Sequence, residues 1–362
     1  MCSVDKDLEV LKQLTEADGA PGFEDDVRAI VKQHIEGVTH DIYTDHLGSI
    51  VGKIGNRGPK VMLAGHLDEV AFMVAKITDK GYLRLQPLGG WWEHVMLSQR
   101  VKIKGRERDI IGVIGSKPPH VLPPDERKSV VKKEHMFIDI GVSSRAEAEA
   151  AGVEVGDPVI PICPFTQMAN PKFLLGKAMD NRTGCYMALE LLKRCKELEL
   201  PNQIYSGATV QEEVGLRGAT TLVQTIKPDI ALALDVGVAE DTPGMESEEK
   251  IELGKGPLIA FYDATMVPHR ALRDTIVRIA KKEHIPYQVE LMGGGGTDAG
   301  KFHLYGEGVP SLVIGVPARY IHSHGSVVHR DDLDNGIKLV QAFLQRLDDE
   351  MLKAILDNRV TV

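Results

Sequence analysis

Short apolar runs that lead into ionisable residues constrain this chain more than any other feature of its sequence. One run, at residues 60–65, is apolar almost without interruption, and comparable runs occupy residues 208–210, 231–234 and 313–316. Strands with continuous apolar character are typical of a sheet that is covered on both faces. In open α/β sheets the ligand crevice lies outside the carboxyl ends of the strands. The residues at or shortly after the ends of these runs are His66, Glu212, Glu213, Asp235 and His322.

Segments with helical periodicity alternate with the predicted strands. Alternation of this kind is typical of helices that pack on both faces of a sheet. We therefore predict an α/β fold with a mixed, largely parallel sheet and helices on both faces. The predicted helices are residues 5–36 with a turn at 19–22, then 181–195, 218–225, 271–283 and 332–352; the predicted strands are 50–54, 60–65, 204–210, 230–234, 287–292 and 311–316.

The middle of the chain has a different character. From about residue 70 to 165, short β-rich runs are separated by Gly and Pro, and helical periodicity is confined to residues 144–151. Such a pattern favours a small β-barrel or sandwich. We predict that residues 70–165 form an inserted, β-barrel-like domain, and that residues 1–69 with 166–362 form the catalytic α/β domain. The predicted strands of the insertion are 101–103, 110–114, 136–140 and 159–162.

Charge and cysteine content exclude several classes of protein. The chain has 43 basic and 52 acidic residues, a net charge of −9, which argues against binding nucleic acid or an anionic membrane. None of its 4 cysteines forms a CxxC pair, which favours free thiols in a reducing compartment. The charged N-terminus lacks the apolar core of a signal peptide, and no apolar run approaches the roughly 20 residues that span a bilayer. We expect a cytoplasmic protein.

The ionisable residues at the predicted sheet edge suggest a metal site. Taken singly, Asp180 could cap the helix that follows it, and His66 could be a buried structural histidine. A purely structural role explains Asp235 less well, because a carboxylate that ends an apolar strand is rarely buried without a partner. Imidazoles combined with carboxylates, and no thiolate, suit Zn, Co or Mn better than Ca, and argue against a structural zinc finger.

Six ordered motifs give the chain a specific family resemblance. It resembles, over essentially its full length, the M42 family of metallo-aminopeptidases, the group of glutamyl and tetrahedral aminopeptidases. The resemblance implies an enzyme that hydrolyses the N-terminal peptide bond of short peptides with a free N-terminus. The motifs are residues 64–70, 177–182, 211–215, 234–236, 295–299 and 318–323.

The resemblance also assigns roles to residues. It implies two divalent ions per subunit, with Zn or Co favoured over Mn. His66, Asp180 and Asp235 would bind one ion, Asp180 would bridge, and Glu213 and His322 would complete the second site. Glu212 is the implied catalytic base, and Asp68 the implied carboxylate that orients His66. His324 introduces a second imidazole beside His322; His322 is favoured as the ligand because it completes its motif.

The resemblance further implies self-association to dimers and to a dodecamer, with the inserted domain taking part in assembly. Trp91 and Trp92 lie in that insertion, and an adjacent Trp pair is more often core or interface than substrate pocket. The glycine run at residues 293–296 has no following Lys and Ser or Thr, so we expect it to line a substrate cleft and not to bind phosphate.

Three other functions fit parts of the pattern. A metal-independent glycosidase could pair Glu212 with Asp235 or Asp68 as acid and base, but would leave both histidines unexplained. A metallo-deacylase or carboxypeptidase could use the same scaffold. A non-enzymatic binding module is disfavoured by the complete ligand set together with Glu212.

Overall fold

The computed structural model describes residues 8–245 and 250–360. Cys2 and the first residues of the helix predicted from residue 5 lie outside the described residues. Within them, the N-terminal region forms two helices that are separated where the turn was predicted, α1 (Glu9–Glu16) and α2 (Asp25–Glu36). The remaining helices are α3 (Arg145–Ala150), α4 (Met179–Lys196), α5 (Arg217–Ile226), α6 (Arg270–Lys282), α7 (Ala299–Phe302), α8 (Arg330–Leu344) and α9 (Asp349–Leu356).

The strands of the described residues fall into two sheets. The large sheet consists of β1 (Ile42–Thr44), β2 (Ile50–Ile54), β3 (Lys60–His66), β10 (Thr166–Gln167), β11 (Phe173–Gly176), β12 (Gln203–Thr209), β13 (Ile230–Val238), β14 (Leu258–Tyr262), β15 (Gln288–Leu291), β16 (Ser311–Arg319) and β17 (Ser326–His329). The second sheet consists of β4 (Ala71–Ile77), β5 (Leu83–Leu88), β6 (Arg100–Lys104), β7 (Asp109–Gly115), β8 (Phe137–Asp139) and β9 (Pro158–Pro161).

Parallel strands form the centre of the large sheet. The order is β1-β2-β12-β3-β13-β16-β17-β11-β10, with β14 and β15 branching from β16. The neighbours β12, β3, β13 and β16 run parallel, and antiparallel strands flank them on both sides. The predicted mixed α/β fold is confirmed. Because β3 lies between two parallel neighbours, its carboxyl end lies in the middle of the edge at which the parallel strands end.

Both faces of the sheet are covered, as the continuous apolar runs predict. Along β3, Val61 and Leu63 join the cluster that also contains Leu189 of α4, while Met62 and Ala64 join the opposite cluster with Leu222 of α5. Successive strand residues point to opposite faces of the sheet. A strand that is apolar at every position therefore has apolar side chains to bury on both faces. Burial on both sides fixes the register that brings the strand ends together.

The second sheet closes into an antiparallel barrel of order β4-β5-β8-β7-β6-β9. Along β7 buried and exposed residues alternate, and Ile110 and Ile114 face a separate core that contains Phe72 and Trp91. The predicted β-barrel is therefore present. The sequence prediction missed β4 and β5, while the role of residues 70–165 as a separate assembly domain stays a prediction.

Several predicted boundaries differ from the structure, and two of these differences have a clear physical cause. The single helix predicted at 332–352 is two helices, α8 and α9, because Asp348 accepts a hydrogen bond from the backbone N–H of Met351 at 2.8 Å and so begins a new helix. The strand predicted to end at Leu234 continues to Val238, because β16 pairs with it through that residue. Asp235 is thus inside β13, although β3 pairs with β13 only as far as Ala233.

No helix in residues 8–245 or 250–360 combines the length and apolar character needed to cross a membrane. The cysteines of the described residues, Cys163, Cys185 and Cys195, are free.

Candidate metal centre

Ionisable side chains from five separate segments meet where β3 ends. His66 is the last residue of β3, and Glu212 and Glu213 follow the end of β12. Asp235 projects from the part of β13 beyond its pairing with β3, and His322 follows β16. Asp180 comes from the start of α4, which packs against β3 and β13. The positions predicted from strand ends therefore converge in space.

Asp180 stands between the two imidazoles. Its Oδ1 lies 3.1 Å from Nε2 of His66, and its Oδ2 lies 3.5 Å from Nε2 of His322. The backbone is not helical at Asp180 and Asn181, and the side chain of Asn181 accepts a hydrogen bond from the N–H of Gly184 at 2.9 Å. Asn181 therefore caps this helix, which leaves Asp180 free to face the centre.

The remaining distances divide the centre into two groups around Asp180. On one side, Nε2 of His66 lies 3.8 Å from Oε2 of Glu212 and 4.0 Å from Oδ1 of Asp235. On the other side, Nε2 of His322 lies 3.5 Å from Oε2 of Glu213. Within the part of the chain that the structure describes, two sets of side chains have ligand atoms close enough to share an ion: His66, Asp180 and Glu213, and His66, Glu212 and Asp235.

Backbone carbonyls orient both imidazoles. The ring nitrogen Nδ1 of His66 lies 3.0 Å from the carbonyl oxygen of Asp68, and Nδ1 of His322 lies 2.9 Å from that of Gly90. A carbonyl oxygen can only accept, so each Nδ1 carries the proton. In the neutral form of each imidazole, Nε2 is then the nitrogen without a proton, the one that can bind a metal ion, as is usual for metal-binding histidines.

Asp68 holds the segment that carries the two glutamates. Its Oδ1 accepts the N–H of Glu212 at 2.9 Å, and its Oδ2 accepts the N–H of Glu213 at 3.0 Å. Oδ1 also lies 3.5 Å from Nδ1 of His66. The residue before the pair, Gln211, has a positive φ of 55° and donates its N–H to Glu24 at 3.1 Å. One buried carboxylate therefore fixes the backbone of both glutamates.

The pKa values show an excess of buried negative charge. Burial raises the pKa of Glu213 to about 8, and the charge of Asp180 adds to the effect. Burial also raises the pKa values of Glu212 and Asp235 well above their usual range. Burial alone would raise the pKa of Asp180 too, but hydrogen bonds with His322 and His66 outweigh it, and that pKa is lowered.

The pKa values of the two imidazoles are raised by the same carboxylates. Burial opposes protonation of His66, yet the charge of Glu212 and the hydrogen bond with Asp180 raise its pKa well above 6.5. In the same way, the pKa of His322 rises to about 9 against the effect of burial. Four carboxylates around two imidazoles need more positive charge than the imidazoles can supply.

This arrangement fits divalent metal ions. The donors are imidazole nitrogens and carboxylate oxygens, the set that suits Zn, Co or Mn. Oε1 of Glu213 is buried and has no hydrogen-bond partner among the described residues. A buried carboxylate oxygen left unpaired is costly unless a cation binds it. The metal-binding role of each side chain stays a prediction.

His324 does not face the centre. Its ring packs beside Trp91, with ring centroids 5.2 Å apart, and neither of its nitrogens has a hydrogen-bond partner among the described residues. Burial lowers the pKa of His324 to about 4. His322, not His324, is the imidazole within reach of Asp180 and Glu213. Trp91 is buried in the barrel core, where it stacks on Phe72, whereas Trp92 is 62% exposed.

The centre forms one wall of an open cavity of about 710 Å³. Glycines 294–296 also line this cavity, as expected for a glycine run that lines a cleft. Further polar residues near the centre were not recognised in the sequence. Asp298 is buried and accepts a hydrogen bond from the hydroxyl of Thr209, and Glu24 supports Gln211. Asp298 belongs to the motif at residues 295–299, and that motif was the signal that could have drawn attention to it.

A mixed histidine and carboxylate centre, at the carboxyl edge of an α/β sheet and beside an open cavity, defines a candidate metal-dependent hydrolase. The family model of the M42 glutamyl aminopeptidases matches residues 48–339. The chain belongs to this family and is a peptidase.

Curated relatives align along almost the whole chain. The glutamyl aminopeptidase of Lactococcus lactis subsp. cremoris is 37% identical over 95% of this chain and 98% of its own length. The lysyl aminopeptidase of Pyrococcus furiosus is 33% identical over 94% of this chain and 97% of its own length.

Solved structures agree with this assignment. The TET aminopeptidase of the Thaumarchaeota archaeon SCGC AB-539-E09 superposes with a TM-score of 0.95 at 45% identity, over 97% of this chain and 99% of that one. The TET1 peptidase of Pyrococcus horikoshii, which can assemble into a tetrahedron or a large octahedral shell, gives a TM-score of 0.84 at 30% identity, over 94% and 100% of the two chains.

Proposed function

We propose that the chain is an aminopeptidase that uses two divalent metal ions, of Zn or Co in preference to Mn, to remove the N-terminal residue of short peptides. His66, Asp180 and Asp235 would hold one ion, and Asp180, Glu213 and His322 the other. The observation that carries the proposal is the position of Asp180, whose two carboxylate oxygens face one Nε2 each. A bridging carboxylate of this kind is what two neighbouring cations require.

The bound ions would supply Lewis acidity toward a water molecule and toward the scissile carbonyl. Glu212 would accept the proton of the attacking water and return it to the leaving amine, because a general base must be near the reacting atoms. Its backbone N–H is held by Asp68, so the carboxylate is presented from a fixed position. Asp68 would also keep His66 in the tautomer that leaves Nε2 free.

Replacing Glu212 with Gln tests its role as the base. Gln keeps the shape of the side chain but cannot accept the proton, so we expect turnover to fall by about 10²-fold or more. Metal content, measured by mass spectrometry of the purified protein, should stay at the wild-type level. Wild-type turnover would exclude Glu212 as the base.

Replacing Asp180 with Ala tests the bridge. This variant should lose metal together with activity, unlike Glu212→Gln, because both ions depend on the same carboxylate. Full occupancy by two ions in Asp180→Ala would contradict the bridging role.

Chelation separates this proposal from a glycosidase that uses Glu212 with Asp235 or Asp68. A chelator should abolish the hydrolysis of aminoacyl nitroanilides, and added Zn or Co should restore it. A glycosidase of that type needs no metal, so its activity on polysaccharides would survive chelation. Cleavage of N-acyl amino acids instead of aminoacyl nitroanilides would indicate a deacylase.

We also propose that the chain assembles into dimers and a dodecamer through residues 70–165, and that it works in the cytoplasm. The shell assembly of the Pyrococcus horikoshii relative and the exposed Trp92 on the barrel side support the first point. The free cysteines of the described residues support the second. Light scattering tests the assembly, and a monomeric mass would contradict it.

A further inference from the structure

The described residues that line the cavity outside the metal centre, here called the wall, carry no charge. The lining residues other than the six ionisable ones of the centre are glycines, two threonines and apolar side chains. Within residues 8–245 and 250–360, no Lys or Arg lines the cavity, nor does any carboxylate beyond those of the centre. The apolar side chains of the lining are Leu216, Val236, Val238, Ala264, Met292 and Ile321.

If the proposed function holds, the N-terminal side chain of the substrate must lie against this wall. The free amine and the scissile carbonyl of an N-terminal residue are attached to the same Cα. With both groups at the metal centre, the side chain on that Cα leaves the centre within one bond and enters the cavity. Since none of the described residues of the wall is charged, this conclusion does not depend on which of them the side chain contacts.

The two threonines of the wall do not offer free hydroxyl donors. The hydroxyl of Thr265 donates to Oδ1 of Asp263 at 2.6 Å, and that of Thr297 donates to Oδ2 at 3.2 Å. Both donors are therefore engaged with the same carboxylate. A substrate carboxylate would find neither a cation nor a free hydroxyl on this wall.

A substrate ammonium group finds no carboxylate among the described residues of the wall either. Asp263 is only 2% exposed and lies behind the two threonines. The backbone of Gly296 packs so closely on Thr265 that a Cβ at this glycine would lie 2.2 Å from Cγ2 of Thr265. Thr265 is thus packed against the backbone of Gly296, and both threonines stand between the cavity and Asp263. The carboxylates of the centre remain, and the proposed ions would neutralise them.

We propose that this cavity selects peptides whose N-terminal side chain is uncharged and apolar, such as leucine or methionine. Burying a charged side chain without a partner is unfavourable, whereas burying an apolar one is favourable. The inference rests on the proposed function and adds its substrate class. Glutamate and lysine, the residues for which the two curated relatives above are named, are the disfavoured substrates.

The first test is a panel of leucyl, methionyl, glutamyl and lysyl p-nitroanilides with the metal-loaded full-length protein. We expect kcat/KM for the leucyl and methionyl substrates to exceed that for the charged ones by about tenfold or more. Cleavage of the glutamyl or lysyl substrate with an equal or higher kcat/KM would overturn the inference and leave the aminopeptidase function intact. Cleavage of none of the four would overturn both.

A charge introduced into the wall provides the second test. Met292→Lys should raise kcat/KM for the glutamyl substrate relative to the leucyl one by about tenfold, since a cation in the cavity can pair with the substrate carboxylate. Met292→Glu should shift the preference toward the lysyl substrate instead. Both variants should keep the metal content of the wild type. Such a result would show that the metal centre is intact.

The adjacent position offers a matched control. Leu291 is 71% exposed and does not line the cavity, so Leu291→Lys adds the same charge nearby without placing it in the wall. We expect its substrate ratio to equal that of the wild type. Val238→Lys repeats the test from another strand if Met292→Lys does not fold. Equal shifts in Leu291→Lys and the cavity variants, or no shift in any of them, would overturn the proposal.

Discussion

Asp68 has more contacts at the centre than its predicted role required. The resemblance implied that its carboxylate orients His66, whereas the nearer neighbour of Nδ1 is the backbone carbonyl of Asp68, at 3.0 Å. Its carboxylate, fully buried, accepts the N–H groups of Glu212 and Glu213. A single residue thus connects the end of β3 with the segment after β12.

Replacing Asp68 with Asn should weaken both metal binding and turnover. The amide group presents only one oxygen, so one of the two glutamate N–H groups loses its acceptor and faces an NH₂ group. We expect a loss of roughly 10- to 100-fold in metal affinity or activity, as is usual for residues that support ligands. Metal titration and kcat measure the effect.

Asp332 provides a control for Asp68→Asn, because its carboxylate makes the same kind of hydrogen bonds. Its carboxylate also accepts two backbone N–H groups, those of Gly254 at 2.6 Å and Gly256 at 2.7 Å, but it does not line the cavity. Asp332→Asn should therefore lower the melting temperature while leaving metal affinity unchanged. A similar loss of metal in both variants would indicate a general effect on folding.

Glu290 should make the stability depend on pH. Burial raises its pKa from 4.5 to about 7, and the charges of Asp263 and Glu240 add to the effect of burial. Between these values the folded state holds a proton that the unfolded state has lost, so the free energy of unfolding decreases as pH rises from about 4.5 to 7. Glu290→Gln should make this decrease smaller by the share of Glu290, as measured by urea unfolding at several pH values.

The exposed Glu307 is the matched control for this measurement. Glu307→Gln should reproduce the wild-type pH profile. If Glu290→Gln and the wild type lose stability equally between pH 4.5 and 7, Glu290 does not contribute to the pH dependence.

At the scale of elements, the sequence predicts strands that are buried on both faces better than irregular segments. β3 follows from its apolar run because the side chains of residues 61–64 are buried against one or the other of two helical layers. β4 and β5 were missed because neither has a simple pattern: their pairing contains a bulge between Val74 and Lys76, and Pro87 lies near the end of β5. The helix after residue 330 was predicted too long because apolar residues continue through the break, where Leu347 is fully buried.

The break between α8 and α9 depends on Asp348. Asp348→Ala should remove the hydrogen bond to the N–H of Met351 and destabilise the protein by about 1 kcal/mol, the usual cost of losing a helix cap. Chemical denaturation measures the change. Asp349→Ala, one residue into the helix, should have a smaller effect, and equal effects in the two variants would contradict the capping role.

At the scale of the whole molecule, metal ions should stabilise the fold. Without them, the buried carboxylates of the centre exceed the positive charge of the two imidazoles, and a ligand that binds only the folded state stabilises it by about 2.7 kcal/mol at 100 times its dissociation constant. We expect a chelator to lower the melting temperature, and added Zn or Co to restore it. Calorimetry measures both changes.

Asp180→Ala is the control for the effect of the chelator, because this variant should already lack metal. The chelator should then leave its melting temperature unchanged. A decrease as large as that of the wild type would show that the chelator acts elsewhere on the protein.

The sequence by itself determined the fold class, the barrel in the middle of the chain and the positions from which the centre is built. Strand burial and strand ends are encoded locally, in apolar runs and in the residues that follow them. Only the tertiary structure decided which oxygen of Asp180 faces which imidazole, that Asn181 caps α4, that His324 packs on Trp91, and that the cavity wall is uncharged. These features depend on side chains that are distant in the sequence, and a local pattern does not contain the packing that brings them together.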